Sequence, residues 1–153
     1  MGHQMKLLFA AALVIAAPAA AAPKDEVMAA TNAFMAALNS NNPTAAEALT
    51  HPSLTIQVLN FPPGAASRFR VMTRQQLFDN FRIAPPRKFD ERIVRSTMHI
   101  TRDFAHVWAP YTLDIDGKRI HCGVDSFGWS KVDGTWLLTS FAWTADPQGC
   151  PPK

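Results

Sequence analysis

His121-Cys122-Gly123-Val124-Asp125-Ser126-Phe127 occupies the centre of the part of the chain that decides the fold, the C-terminal third over 105–150. Two Asp-Gly pairs, Asp116-Gly117 and Asp133-Gly134, lie on either side of this stretch. An Asp-Gly pair is a strong signal for a tight β-hairpin turn. The C-terminal third is therefore predicted to form three consecutive strands, with the quoted residues in the middle strand.

Upstream of these strands, the sequence predicts three helices. Apolar residues recur at helical spacing from Lys24 to Asn39, which is typical of an amphipathic helix. A second, short helix is predicted over 44–49 and should end at His51-Pro52, since the residue before a proline avoids the helical region. Thr73-Arg74-Gln75-Gln76 is a capping-box pattern that opens the third helix.

The remaining segments predict strands and one loop. A strand is expected over 53–59, followed by a flexible loop over 60–70 that could flank the mouth of a pocket. Strand character then runs from Phe89 through Ile100 and turns near Arg102-Asp103 into the C-terminal sheet. Helices segregated against one antiparallel sheet indicate a single α+β domain.

Composition excludes several function classes. The chain has 153 residues and a formal net charge of +3, which is too small to favour nucleic-acid binding. It contains no Gly-rich phosphate loop, no H-E-x-x-H zinc motif and no G-x-S-x-G nucleophile motif. We expect neither a cofactor nor a metal.

The N-terminus has the layout of a secretory signal. A basic start is followed by an alanine-rich apolar run over 7–22, with small residues that offer a cleavage site. The run is short for a membrane span, which needs about 20 predominantly apolar residues. We expect a signal peptide over 1–22, a mature domain over 23–153 and a periplasmic or secreted location. An uncleaved N-terminal anchor is the alternative.

Two cysteines in an exported chain are expected to pair. A Cys122–Cys150 disulfide would close a loop of about 29 residues and add roughly 3 to 4 kcal/mol on the chain-entropy model. Two buried free thiols are one alternative. A metal site at His121-Cys122 is the other, but no second pair of ligands lies at a useful spacing.

Several motifs along the chain together resemble the nuclear transport factor 2-like superfamily. The likeness begins with the amphipathic first helix and continues through five short segments: Val71-Met72-Thr73-Arg74, Val107-Trp108-Ala109-Pro110-Tyr111, Asp116-Gly117-Lys118, His121 to Phe127, and Gly134-Thr135-Trp136. Within the superfamily the chain is most similar to small exported bacterial members described as lumazine-binding-like or polyketide-cyclase-like.

The resemblance implies a curved antiparallel sheet wrapped into a cone around about three helices. It also implies a pocket between sheet and helices and a homodimer formed through the outer sheet face. Members include enzymes and binding modules, so the fold alone assigns no function.

The predicted hairpin registers divide the sheet residues between two faces. A two-residue loop at Asp116-Gly117 sets Trp108 opposite Asp125 and Thr112 opposite His121. The Arg102-Asp103 turn adds three residues to that face: Thr97 (beside Trp108), His99 and His106. The other face then carries Val107, Ala109, Tyr111, Leu113, Ile115, Ile120, Cys122 and Val124.

The resemblance implies which face lines the pocket. In ketosteroid isomerase a strand aspartate is kept neutral to donate a hydrogen bond, which is also the standard example of such a carboxylic acid. Asp125 matches that aspartate by its position before the final hairpin. The match implies ligand contacts from five sheet residues and two helix residues: Trp108, Thr112, His121, Asp125, Phe127, Phe34 and Phe78.

The register of the last strand is open. A two-residue Asp133-Gly134 turn puts Phe141 and Trp143 on the face away from Asp125, whereas a three-residue bulged turn puts both on the Asp125 face. We favour the bulge because the isomerase comparison needs one extra residue there.

The sequence departs from the isomerase at the catalytic positions. The comparison calls for a carboxylate base on the first strand and a tyrosine on the first helix, where this chain has Gln57 and Phe34. The only tyrosine, Tyr111, falls on the opposite face in the predicted register. The catalytic residues are therefore unknown, with Asp125 and His121 as candidates for acid/base chemistry. Residues four apart on a strand are about 13 Å apart, which disfavours a direct bond between these two.

We therefore expect an exported domain that binds a small hydrophobic molecule in a pocket, with no assigned chemistry. One alternative is a lyase or isomerase that acts on a hydrophobic carbonyl compound. The other is a protein-interaction module that uses the outer sheet face. An enzyme is the less favoured interpretation, because the isomerase partners of Asp125 are missing.

Overall fold

The computed structural model describes residues 21–152. The helices are α1 (Pro23–Asn39), α2 (Pro43–Ala48) and α3 (Arg74–Ile83). The strands are β1 (Thr50–Asn60), β2 (Arg68–Thr73), β3 (Phe89–Ile93), β4 (Thr97–Thr101), β5 (Phe104–Ile115), β6 (Lys118–Val132) and β7 (Thr135–Ala145). Except for its last two residues, the predicted signal peptide lies outside the described residues. Within 21–152, no helix is both long and apolar enough to cross a membrane.

The seven strands form one sheet in the order β2-β1-β7-β6-β5-β3, with β4 also paired to β5. All pairings are antiparallel except that of β1 with β7. The sheet is curled and unclosed, and the helices pack against its concave side. The prediction of an α+β cone in a single domain is confirmed.

Local sequence signals explain the helices. The capping box at Thr73 is present, with the Thr73 side chain accepting from the Gln76 amide and the Gln76 side chain accepting from the Thr73 amide. In α1, Asp25 and Glu26 lie in the first turn, where the helix dipole favours acidic groups. The buried stripe of α1 includes Phe34, whose ring packs edge-on against Phe141 of β7 at 5.5 Å between centroids.

Three segments differ from the prediction. Residues 68–73, partly assigned to a loop, form the edge strand β2, where Arg68-Phe69-Arg70-Val71 alternates polar and apolar residues. The strand expected from Phe89 through Ile100 is two strands, β3 and β4, which pair with opposite halves of the long β5. His51-Pro52, predicted as a helix end, already lies in β1.

The register between β5 and β6 corrects the predicted faces. Ile115 pairs with Lys118 across the two-residue turn as expected, but the register shifts by one residue between Asp114 and Leu113, leaving Ile120 unpaired. Beyond this bulge, Asp125 is opposite Ala109 and not Trp108. Because side chains alternate, a one-residue shift moves the whole of β5 to the other face relative to β6. Trp108 and Thr112 therefore lie on the outer face, and Tyr111 lies on the face of Asp125.

The pairing of β6 with β7 contains one extra residue, as expected from the isomerase comparison, but that residue does not lie in the Asp133-Gly134 turn where it was predicted. The Asp133-Gly134 turn has two residues, with Val132 opposite Thr135. The shift occurs later, where Gly128 pairs with Ser140 and Trp129 with Leu138. Phe141 and Trp143 consequently face the same side as Asp125, as predicted, although the turn itself carries no bulge.

The Cys122–Cys150 disulfide is present, with 5.1 Å between the Cα atoms. It fastens the C-terminal tail to β6, where Cys122 also forms an isolated bridge with Asp146 through two backbone hydrogen bonds of 2.8 and 3.1 Å. The disulfide prediction is thus confirmed. The β4–β5 register is confirmed as well, with Thr97 opposite Trp108 and His99 opposite His106.

Candidate functional site

A cavity of about 240 Å³ lies between the helices and the concave face of the sheet. Its walls are mainly apolar and aromatic, and its polar groups come from α1 and from strands β3, β5 and β6. The lining residues are Leu38, Asn39, Leu77, Phe81, Phe89, Glu91, Tyr111, Leu113, His121, Asp125, Phe141 and Trp143.

The structure brings together only part of the predicted ligand set. Asp125 and His121 line the cavity. The other predicted residues on this side, Phe34, Phe78 and Phe127, are completely buried in the core, where Phe34 and Phe127 support the cavity wall from behind Phe141. Trp108 and Thr112 lie on the opposite face, because the bulge at Ile120 shifts the register of β5 against β6 by one residue.

Asp125 and Glu91 form a pair of carboxyl groups within the cavity wall. Asp125 is 1% exposed, and its Oδ2 accepts no hydrogen bond from a donor in the described residues. Burial is the main cause that raises the pKa of Glu91, to about 7, and its hydrogen bond with Asp125 lowers that pKa in part. Burial, followed by the negative charge of Glu91, raises the pKa of Asp125 well above its ordinary value. Two adjacent carboxyl groups, one buried and one half-buried, cannot both ionise cheaply, so the pair holds a proton near neutral pH.

The position of Glu91 is fixed by the end of α1. The Asn39 side chain donates from Nδ2 to the Glu91 carbonyl and accepts from the Glu91 amide at Oδ1, both at 2.8 Å. β3 lies at the edge of the sheet, and these two bonds satisfy backbone groups of Glu91 that a neighbouring strand would otherwise pair. Both the oxygen and the nitrogen of the Asn39 side chain are used in these bonds. The polar group that β3 presents to the cavity is the Glu91 carboxyl group.

Tyr111 and His121 form a second polar group of the cavity. The Tyr111 hydroxyl donates to the Thr144 carbonyl at 2.8 Å and lies 3.1 Å from His121 Nδ1. A carbonyl can only accept, so the single hydroxyl proton is directed to Thr144 and Nδ1 of His121 must donate to the hydroxyl oxygen. Burial lowers the pKa of His121, which keeps the ring neutral at neutral pH. Its Nε2 is then an unprotonated acceptor with no hydrogen-bond partner among residues 21–152.

A local distortion of β7 makes this arrangement possible. The Val124 amide donates to Thr144 Oγ1 at 3.0 Å in place of a backbone carbonyl. The Thr144 carbonyl is thereby free to accept from Tyr111. Gly123 lies opposite Tyr111 in the register and has no side chain, so the tyrosine can cross β6 to reach β7. One backbone hydrogen bond between β6 and β7 is thus replaced by a bond from Tyr111 to the Thr144 carbonyl, and the fixed Tyr111 hydroxyl orients His121.

The arrangement limits the chemistry of the site. His121 and Asp125 are not joined by a hydrogen bond in the described part of the chain, in agreement with their spacing along β6. No group of three or more His, Cys, Asp or Glu residues that could hold a metal ion occurs within 21–152. The cavity therefore offers a carboxyl pair at one place and an imidazole acceptor at another.

Sequence reasoning missed Glu91, Tyr111 and Asn39. Glu91 lies 34 positions before Asp125. The alternation of polar and apolar residues in the short edge strand β3 does not indicate that Glu91 faces the cavity. Tyr111 was assigned to the wrong face because of the bulge at Ile120. One available signal was the sole tyrosine of the chain, in a strand opposite a glycine.

The outer face of the sheet carries exposed aromatic side chains. Phe69 is 64% exposed, Phe104 57% and Trp108 49%. Phe69 and Trp108 border a shallow depression of about 190 Å³ that runs across the middle strands. This surface is separate from the cavity and lies on the other side of the sheet.

Comparison with known proteins identifies similar folds. No protein-family model and no curated protein matches the chain. Among solved structures, a nuclear transport factor 2-like protein from Cytophaga hutchinsonii is 16% identical with a TM-score of 0.65, over 82% of this chain and 99% of the other. A proposed dehydratase of the same fold family from Streptomyces avermitilis is 15% identical with a TM-score of 0.61, over 79% and 94%. A proposed calcium/calmodulin-dependent protein kinase II association domain from Xanthomonas campestris is 27% identical with a TM-score of 0.57, over 84% and 94%. These likenesses concern the fold alone.

Proposed function

We propose that this chain, which has the nuclear transport factor 2-like fold, binds a small, largely apolar molecule in the cavity between its helices and its sheet. The proposal rests on one observation: an apolar, aromatic cavity of about 240 Å³ into which a few polar groups converge. Ligand pockets in proteins have this composition, and their volumes begin at roughly 300 Å³, which indicates a small ligand. Asp125 and His121 are the polar anchors.

A fluorescent probe tests the proposal, supported by mass spectrometry of any molecule retained by the purified protein. We expect 1-naphthol to bind the protein, and Leu113→Trp to weaken that binding at least about tenfold, since a larger side chain fills the cavity. Thr112→Trp is the matched control, because Thr112 is the next residue and lies on the outer face. Equal effects of the two substitutions, or no binding by the unaltered protein, would contradict the proposal.

We also propose that the chain is exported, to the periplasm or beyond the cell, after removal of residues 1–22. The Cys122–Cys150 disulfide supports this location, since disulfides persist in oxidising compartments. The basic and apolar N-terminal sequence supports it independently.

For the outer sheet face we propose a second copy of the chain as the partner. Phe69 and Trp108 are exposed there beside a shallow apolar depression, and Phe104 is exposed on the same face. Exposed patches of this kind commonly mark protein interfaces, and aromatic residues supply much of the binding energy when they are covered.

Sedimentation analysis of two variants tests this partner. Trp108→Glu is expected to convert a dimer into a monomer, because it places a charge in the centre of the buried surface. Ile83→Glu is the control, since Ile83 is 80% exposed on α3, away from the sheet face. If the two variants sediment alike, or if the unaltered chain is monomeric, the outer face is not the dimer interface.

A further inference from the structure

Among the described residues, the polar side chains that the cavity leaves unpaired are acceptors, apart from the Trp143 indole. Asp125 Oδ2 and His121 Nε2 accept no hydrogen bond from the described residues, and the Glu91 carboxyl group has Asp125 as its partner. Two other possible donors are already engaged: the Tyr111 hydroxyl bonds to Thr144, and Asn39 bonds to the Glu91 backbone. The Trp143 indole is a neutral donor, and no Lys or Arg lines the cavity.

The walls around these acceptors are aromatic. Phe81 and Phe89 contact each other at 6.1 Å between ring centroids, and Phe141 and Trp143 at 5.1 Å. Tyr111 adds a fifth ring. Aromatic faces attract organic cations, and they do so more strongly when water is excluded. Paired acids with aromatic walls are complementary to a cation that has an apolar body.

We propose that the ligand of this cavity is an organic amine, bound as its ammonium ion between Glu91 and Asp125 with its apolar body against the aromatic walls. This inference rests on the proposed function, because it names the ligand class for the same cavity. The buried and unpaired Asp125 Oδ2 is the observation that points to a missing donor. A metal ion would need more ligands than the two carboxylates provide.

In the empty cavity a proton takes the place of that cation. The raised pKa values of Glu91 and Asp125 mean that the pair holds protons near neutral pH, and an arriving ammonium ion displaces the one on Glu91 to solvent. The other titratable groups facing the pair are Tyr111, whose pKa burial raises, and His121, whose pKa burial lowers, so both stay neutral. α1 contributes Asn39 as its polar group, whereas α3 and β7 contribute no charged group to the cavity.

Calorimetry with three isosteric probes tests the ligand class, with 1-naphthol as the reference for an open cavity. We expect 2-phenylethylamine to bind at least about tenfold more tightly than 2-phenylethanol, and phenylacetate to bind least, because the pair repels anions. Glu91→Gln should reduce the preference for the amine over the alcohol to about onefold. If 1-naphthol binds while the amine shows no preference, the inference is overturned and the proposed function stands. If no probe binds, both are overturned.

The pH dependence gives a second measurement that needs no variant. Ammonium binding requires an ionised Glu91, whose pKa is about 7. Affinity for the amine should therefore rise about tenfold between roughly pH 6 and pH 8, whereas affinity for the alcohol stays constant. An amine affinity that does not change over this range would overturn the inference even if Glu91→Gln fails to fold.

Discussion

Gly123→Ala is expected to destabilise the protein by at least roughly 3 kcal/mol, at the upper end of the range for overpacking substitutions. A methyl group at this position would lie 1.9 Å from the Thr144 carbonyl oxygen and 2.8 Å from its carbonyl carbon. The clash is with backbone of the neighbouring strand, which a side-chain rotation cannot relieve. Moving that carbonyl would also break its hydrogen bond from Tyr111.

Urea unfolding of two alanine variants measures this effect. Gly128→Ala is the matched control on the same strand, because its added methyl would meet the Ser140 side-chain oxygen at 2.1 Å. Ser140 is exposed and its hydroxyl can rotate away, so the loss of stability should be much smaller. Equal losses in the two variants would show that the Thr144 carbonyl is not the constraint.

Reduction of the Cys122–Cys150 disulfide is expected to lower the free energy of unfolding by roughly 3 to 4 kcal/mol. The bond joins positions separated by 28 residues, and the loop it closes restricts the unfolded chain by about that amount. The comparison is between urea unfolding of the protein with and without a phosphine reductant. A double variant, Cys122→Ala with Cys150→Ala, should resemble the reduced protein and should not respond to the reductant. A reduced protein as stable as the oxidised one would contradict the prediction.

The fold was predictable from the sequence because its signals are local. The capping box at Thr73, the Asp-Gly turns and the helical spacing of α1 each depend on a few neighbouring residues. Pairing of Cys122 with Cys150 followed from the number of cysteines and from the N-terminal signal pattern.

It was harder to predict which side chains of β5 share a face with Asp125, because this depends on a one-residue bulge. The bulge at Ile120 leaves no mark in the sequence, yet it exchanges Trp108 and Thr112 for Tyr111 on the face of Asp125. Glu91 approaches Asp125 only because the curled sheet places β3, β5 and β6 side by side. Pairings of this kind are set by packing over the whole domain, which local patterns do not encode.

The position of β7 has a consequence for how the chain reaches its folded state. This strand is the last of the seven in sequence, but it lies between β1 and β6 in the middle of the sheet. Until it is made, β1-β2 and β3-β6 are separate pieces with no shared strand, and contacts between distant parts of a chain form slowly. The sheet can therefore close only after β7 has been made, because β7 alone joins the two pieces.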